Sequence, residues 1–228
     1  MVLMAGRHGW IAGEGNAGVN TAIVVGLRAE ALLARRLGVP VVVGGGTAAG
    51  AEAAARRAVA AGATALVSFG LAGGLDPDLR PGTLVVPAAV LCGDQSFAAD
   101  PALMQWLGGA TTHRLLADDM PATDAETKRR LWRATGAATL DLESGAVVRV
   151  ATAHGLPFAA LRVICDPAER DLPPAALAAL DASGAIGLAR VVRSVIGRPG
   201  QLPALLRLAA DAAAARRALA RRVAAIAV

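Results

Sequence analysis

Tyrosine is absent, lysine occurs once, at Lys128, and three Phe and three Trp are the only aromatic residues among 228. A surface for single-stranded nucleic acid stacks bases on aromatics set between basic groups. No such interleaved stretch is present, so nucleic acid is not an expected partner despite a formal net charge of +5. The positive charge is almost wholly Arg, placed in "ARRL", "ARRA", "KRRL" and "ARRALARRV", helical patterns in which Arg forms the solvated face. Together with the excess of Ala, Gly and Val this resembles a coding bias more than a charged docking surface. The two cysteines, Cys92 and Cys165, lie in apolar strand-like runs without metal-ligand spacing. They are expected to be buried thiols of a reducing cytoplasm, and no metal site is expected. No window offers about eighteen apolar residues free of charge and turn formers, which argues against an integral membrane protein. The opening "MVLMAGRHGWIAGEGNAGVN" has neither a secretory core nor regular periodicity. Its "GEGNAG" precedes the first strand, whereas a phosphate-cradling loop follows one. Residues 1–19 are therefore expected to form a flexible extension, and residues 20–228 one α/β domain with a helical C-terminal tail.

What is present is alternation. "TAIVVGL" reads as a strand and "RAEALLARRLG" as a helix closed by Gly38; "VPVVVGGG" and "TAAGAEAAARRAVAAGA" repeat the pair. "TALVSFG" is a third strand, after which "LAGGLDPDLRPG" reads as turn material throughout. "TLVVPAAVLCG" is read as the next strand, and residues 94–124 as short elements near a site. "AETKRRLWRATG" then predicts a helix, "AATLDLE" a strand, "SGAVVRVATAHG" a helix and "FAALRVICD" a strand, followed by a tail that is helical from Ala175 and interrupted at "GRPGQLP". This order predicts a three-layer αβα sandwich around a mixed, largely parallel sheet. Ligands of such sheets sit beyond the carboxyl ends of the strands.

Polar residues collect at those ends. Gly26, Arg28 and Glu30 follow the first strand, and Gly70, Gly73 and Gly74 follow the third, where they let backbone approach a ligand or form a plain β-turn. Arg162 and Asp166 lie four apart on one strand face, either as a buried ion pair or with Asp166 at a cleft edge. Asp141 and Glu143 share a face in "LDLESG", inside an otherwise apolar segment where unpaired charge is unfavourable. Capping of the following helix explains one of them, not two. A strand-end carboxylate is suited to accept hydrogen bonds from the vicinal hydroxyls of a ribose.

The order "IVVGLRAE", "VSFGLAGGLDPDLRPGTLVV" and "TLDLESGAVVRVATAHGLPFAALRVICD" resembles the nucleoside phosphorylase and nucleosidase superfamily over roughly residues 20–195. Further on, "ERDLPPAALAALDASGAIGLARVVRSVIGRPGQLPALLRLAADAAAA" is similar to the hopanoid-associated phosphorylases, which are thought to remove adenine from an adenosylated hopane lipid. The resemblance implies roles. Asp166 would be the acid at the purine, Glu143 the carboxylate on the ribose 2′ and 3′ hydroxyls, and Leu142 would pack on the sugar where relatives carry methionine. Asp141, Ala72 and Gly73 would adjoin the substrate, and Arg162 would orient the carboxylates. Arg28, with Gly26 and Leu71, occupies the place of a phosphate site, although Leu71 replaces a serine common in relatives. Glu30 falls where nucleosidases keep the glutamate that activates water. The segment that supplies a stacking aromatic in relatives reads "LADDMPATDAETKRR", which leaves Met120 for that task.

The resemblance thus implies release of adenine from a 5′-substituted adenosine, foremost phosphorolysis of adenosylhopane, with inorganic phosphate as co-substrate and no other cofactor. A methylthioadenosine or adenosylhomocysteine nucleosidase is the enzymatic alternative, and a purine-nucleoside-binding protein without catalysis a third. It also implies a homo-oligomer. The Arg-rich tail from Leu202 to Val228 would suit work against a membrane surface. The simpler expectation is that it packs on its own domain with its arginines outward.

Overall fold

A computed structural model of the chain describes residues 20–111, 113–177, 193 and 197–227. The extension expected over residues 1–19 and much of the tail segment that carries the hopanoid-type likeness lie outside the described residues.

The strands are β1 (Thr21–Val25), β2 (Val41–Val43), β3 (Ala65–Gly74), β4 (Leu84–Val85), β5 (Ala89–Cys92), β6 (Gln95–Ala98), β7 (Arg114–Ala117), β8 (Thr139–Asp141) and β9 (Phe158–Asp166). The helices are α1 (Arg28–Ala34), α2 (Ala48–Ala60), α3 (Pro101–Trp106), α4 (Ala125–Thr135), α5 (Ser144–Ala153), α6 (Pro174–Leu177) and α7 (Leu202–Ile226). They surround one mixed sheet in which β1 pairs in parallel with β2 and β3, β3 with β9, and β7 with β5 and β8. β8 runs antiparallel to β3, β4 to β9 and β6 to β5. The expected mixed, largely parallel sheet flanked by helices is the one observed.

β3 organises the molecule because it is longer than its neighbours. Its first half pairs with β1 along Ala65–Phe69, and where β1 has ended β8 takes over opposite Gly73 and Gly74. The pattern "TALVSFG" predicts a strand end at Gly70, with Leu71–Gly74 as turn. The structure keeps these residues extended, because β9 runs beside them through Asp166 and supplies hydrogen-bonding partners, with one register shift between Ala72 and Gly73. Conversely, the single strand expected over "TLVVPAAVLCG" is two, since Pro87 has no N–H to continue a ladder.

Both sheet faces are apolar, as strands covered by helices on either side require. Ile23, Val25, Val67, Phe69, Leu161 and Val163 face one layer and pack with Ala31 of α1 and Leu219 and Val223 of α7. Ala22, Val24, Leu66, Phe158 and Ala160 face the other and pack with Ala54 of α2 and Val147 of α5. The period of two along β1 and β9 is therefore direct. On α7 the buried residues are Ala215, Ala218, Leu219 and Val223, while Arg216, Arg217 and Arg221 are exposed. The second half of α7 packs on the domain with these arginines outward, and among the described residues no helix is long and apolar enough to cross a membrane. Cys92 and Cys165 are half-buried free thiols rather than fully buried ones.

Candidate active site

Four strand ends meet around a cavity of ≈ 660 Å³. Its polar end presents Glu30, Asp141, Glu143, Asp166 and Lys128, and Leu71, Ala72, Gly73, Leu140 and Leu142 form the adjoining wall. An apolar part of the lining comes from α7, with Leu205, Leu208, Ala209 and Ala212.

Beneath the carboxylates lies Arg162, only 1% exposed, on the β9 face that carries Phe158 and Ala160 earlier in the strand. Its Nε lies 2.5 Å from Asp141 Oδ2 and its Nη2 3.6 Å from Glu143 Oε2. Nη2 also donates to Ser68 Oγ at 2.6 Å and to Ser144 Oγ at 2.9 Å. A fully buried guanidinium is tolerable only with this degree of pairing. Arg162 and Asp166 are not partners of each other: Arg162 takes Asp141, and Asp166 takes Lys128.

Asp141 and Glu143 have different environments. Asp141 closes β8, and its Oδ1 accepts from the N–H of Glu143 at 3.1 Å and of Ser144 at 2.9 Å, while Oδ2 accepts from Ser144 Oγ at 2.6 Å. It satisfies orphan donors at the start of α5, which a capping carboxylate does. Glu143 lies beyond the strand, at the N-cap of α5 with φ −125° and ψ −40°, so the expectation that both carboxylates share a strand face is not met. Freed from pairing along a ladder, Glu143 lies against Gly26, where a Cβ would come within 1.9 Å of its Oε1. Burial lifts the Glu143 carboxyl to about 8; Arg162 opposes the shift, and Glu30 and Asp141 add to it.

Glu30 sits at the third position of α1, where its Oε2 accepts from Leu27 N–H at 2.8 Å and its Oε1 from Leu71 N–H at 2.8 Å. It thereby ties α1 to β3. Gly70, at φ +155°, makes room for it, since a Cβ there would lie 2.5 Å from Glu30 Oε1. Burial raises the Glu30 pKa against the pull of those backbone donors and of Arg162.

The proposed phosphate set does not assemble. Arg28 is exposed and does not line the cavity, Gly26 is packed on Glu143, and the Leu71 N–H is already bonded to Glu30. Met120 is 72% exposed and also outside the lining; its neighbours Pro121 and Ala122 are within it. Turn residues 118–120 project Met120 outward, Asp118 accepting from the Met120 N–H at 3.2 Å.

The sequence reading missed Lys128, which it placed in a solvated helical run. It is 1% exposed and lies 2.7 Å from Asp166 Oδ2. Its being the single lysine of an Arg-rich chain was the available signal. Ser68 and the α7 wall were missed too, for they are brought to the site only by packing. Among the described residues no group of three or more His, Cys, Asp or Glu side chains is placed to hold a metal ion.

The sequence profile of the phosphorylase superfamily matches residues 32–196. The chain belongs to the phosphorylase superfamily. Membership makes it an enzyme of the nucleoside phosphorylase or N-ribosyl hydrolase type. Solved structures with the same fold include the S-adenosylhomocysteine nucleosidase of Streptococcus pyogenes in complex with 5-methylthiotubericidin, at 15% identity and TM-score 0.60, covering 68% of this chain and 87% of that one. The futalosine hydrolase of Helicobacter pylori is similar at 16% identity and TM-score 0.62, covering 78% and 97%. A 5′-methylthioadenosine/S-adenosylhomocysteine nucleosidase from Colwellia psychrerythraea 34H, in complex with adenine, is similar at 18% identity and TM-score 0.62, covering 78% and 95%. No curated protein matches the chain.

Proposed function

We propose that the protein releases adenine from an adenosine whose 5′ position carries a large apolar group, of the adenosylhopane kind, with water as nucleophile. The observation that carries this reading is one cavity lined both by Glu30, Glu143 and Asp166 and by the apolar residues Leu205, Leu208, Ala209 and Ala212 of α7. Breaking the bond between C1′ and N9 leaves the bonding pair on the purine and positive charge on the sugar, so an acid is needed at the base and anions at the ribose. Asp166 gives its proton to N7, and the base departs neutral. Glu143 receives the 2′ and 3′ hydroxyls, whose donated hydrogen bonds favour its ionised form. Glu30 takes a proton from the water whose oxygen bonds to C1′; its raised pKa brings it toward the range in which a general base is effective. The products are adenine and a 5-substituted ribose.

Phosphorolysis is the second reading, favoured by the likeness of the C-terminal sequence to hopanoid-associated phosphorylases. A cytoplasmic enzyme meeting its lipid-linked substrate at the membrane face is the setting either reading implies. Adenine release from adenosine, 5′-methylthioadenosine and a 5′-alkyl adenosine, with and without phosphate, separates the two. Release without phosphate, yielding free sugar, is expected. A phosphate requirement with a sugar 1-phosphate product would reassign the nucleophile, and no release from any of the three would overturn the reading.

A further inference from the structure

The chain carries 23 Lys and Arg residues, of which one is lysine, and that one is buried beside the carboxylate at the end of β9. Lys128 Nζ donates to the carbonyls of Pro167 at 3.1 Å and Arg170 at 2.7 Å, and lies 2.7 Å from Asp166 Oδ2. An ammonium has three donors, and these three oxygens take them all. Such a tripod suits a compact ammonium, whereas the planar fork of Arg would not direct its donors at two carbonyls and a carboxylate of one tight turn.

The placement of α4 supports the clamp. Asp124 caps the helix by accepting from Thr127 N–H at 2.8 Å. Asp171, in the loop after β9, accepts from Ala125 N–H at 2.8 Å, and Leu172 N–H donates to the Thr123 carbonyl at 2.7 Å. The first turn of α4 is thus fastened to the loop whose carbonyls Lys128 holds. All of this lies at the cavity, which both Lys128 and Asp166 line.

We propose that Lys128 is a positioning residue for Asp166: by donating to Oδ2 it confines the acidic proton to Oδ1, the oxygen left for the base. A proton on Oδ2 would face an ammonium that has no lone pair, so the neutral acid is held in one of its two forms. Burial raises the Asp166 pKa and the Lys128 charge opposes the rise. Arg170 also lowers it and Asp211, from α7, raises it, but these two pair with each other at 2.5 Å and so largely offset. The Cys165 thiol beside it is pushed up to about 12 and stays neutral. Lys128 is therefore the dominant opposing charge.

The part played in base release rests on the reading above; the pairing itself does not. Because the chain has one lysine, protein labelled with [15N]lysine gives one side-chain Nζ signal, which reports the pair without any activity. The signal is expected to be that of a protected, bonded ammonium and to show a pH-dependent step that Asp166→Asn abolishes. A solvent-like signal, or a step that survives in the Asn variant, would overturn the clamp even if Lys128 variants fail to fold. In base release, Lys128→Met is expected to move the alkaline limb of kcat/KM up by about 1–3 pH units, as loss of an adjacent cation from a carboxylate does, with kcat lowered more than KM is changed. Lys128→Arg, which keeps the charge, is expected to return the limb toward its original position. A fall in kcat with no movement of the limb would mean a merely structural lysine. Wild-type protein that gives the bonded Nζ signal but releases no base would leave the clamp standing and remove the proposed function.

Discussion

Asp141 and Glu143 stand two positions apart, yet the first is bound into the frame of the site and the second is available to a ligand. Asp141 spends its oxygens on the α5 N-terminus and on Arg162. Among the described residues the charged partner of Glu143 is Arg162, at a long 3.6 Å, and its carboxyl is lifted to about 8 by burial and by the neighbouring carboxylates. Its folded-state pKa lies above the ordinary 4.5, so its contribution to stability is complete below about 4.5 and is lost as pH rises through about 8. Glu143→Gln removes that dependence. Thermal unfolding should therefore show the variant gaining on the parent between pH 5 and pH 9; a constant difference across that range would refute the assigned environment. The pair also shows what could be read from "LDLESG" alone. That one carboxylate would be taken by the helix start was legible, because capping is a local interaction. Which one, and that Glu143 leaves the strand, followed from β8 stopping at Asp141, a matter of where its partner strands end.

The elements that frame the cavity contribute unequally to it. α7 is anchored by Ala215, Ala218, Leu219 and Val223, and its N-terminal half, with Leu205, Leu208, Ala209 and Ala212, is free to wall the cavity. If that wall receives the 5′ substituent, a bulky residue there should discriminate by substrate size. Ala212→Phe is expected to leave release from adenosine within a few-fold, while release from a long-chain 5′-alkyl adenosine falls by about tenfold or more, the order expected from about 1–3 kcal/mol in an apolar pocket. Equal losses on both substrates would place the substituent elsewhere. In the sequence α7 was legible as an amphipathic helix packing with arginines outward, since its spacing states which face is apolar. Its second role was not legible, because lining a cavity depends on what lies opposite. α4 failed in the reverse way: "KRRL" reads as a charged surface run, and Lys128 is nonetheless inside, drawn there by carbonyls at residues 167 and 170.

At the scale of the whole molecule, Leu32, Met120, Leu202 and Leu206 remain large, apolar and exposed. Met120 is next in sequence to the cavity-lining Pro121, and Leu206 is next to the cavity-lining Leu205. A homo-oligomer that covers part of this surface is expected, and light scattering on the full chain should give more than the 22.8 kDa of one copy; a monomer at micromolar concentration would overturn that expectation. Alternating strands and helices, the apolar periods of two and 3.6, and glycines closing helices determined the layered sheet from sequence alone, because each is a local consequence of backbone geometry and of which face must be buried. Tertiary structure alone decided that Leu71–Gly74 is strand, that Arg28 and Met120 lie off the site, and that Asp166 belongs to Lys128 rather than to Arg162. Those outcomes depend on neighbours distant in sequence: a strand edge needs a partner to stay extended, and a buried charge takes the counter-charge that packing brings to it.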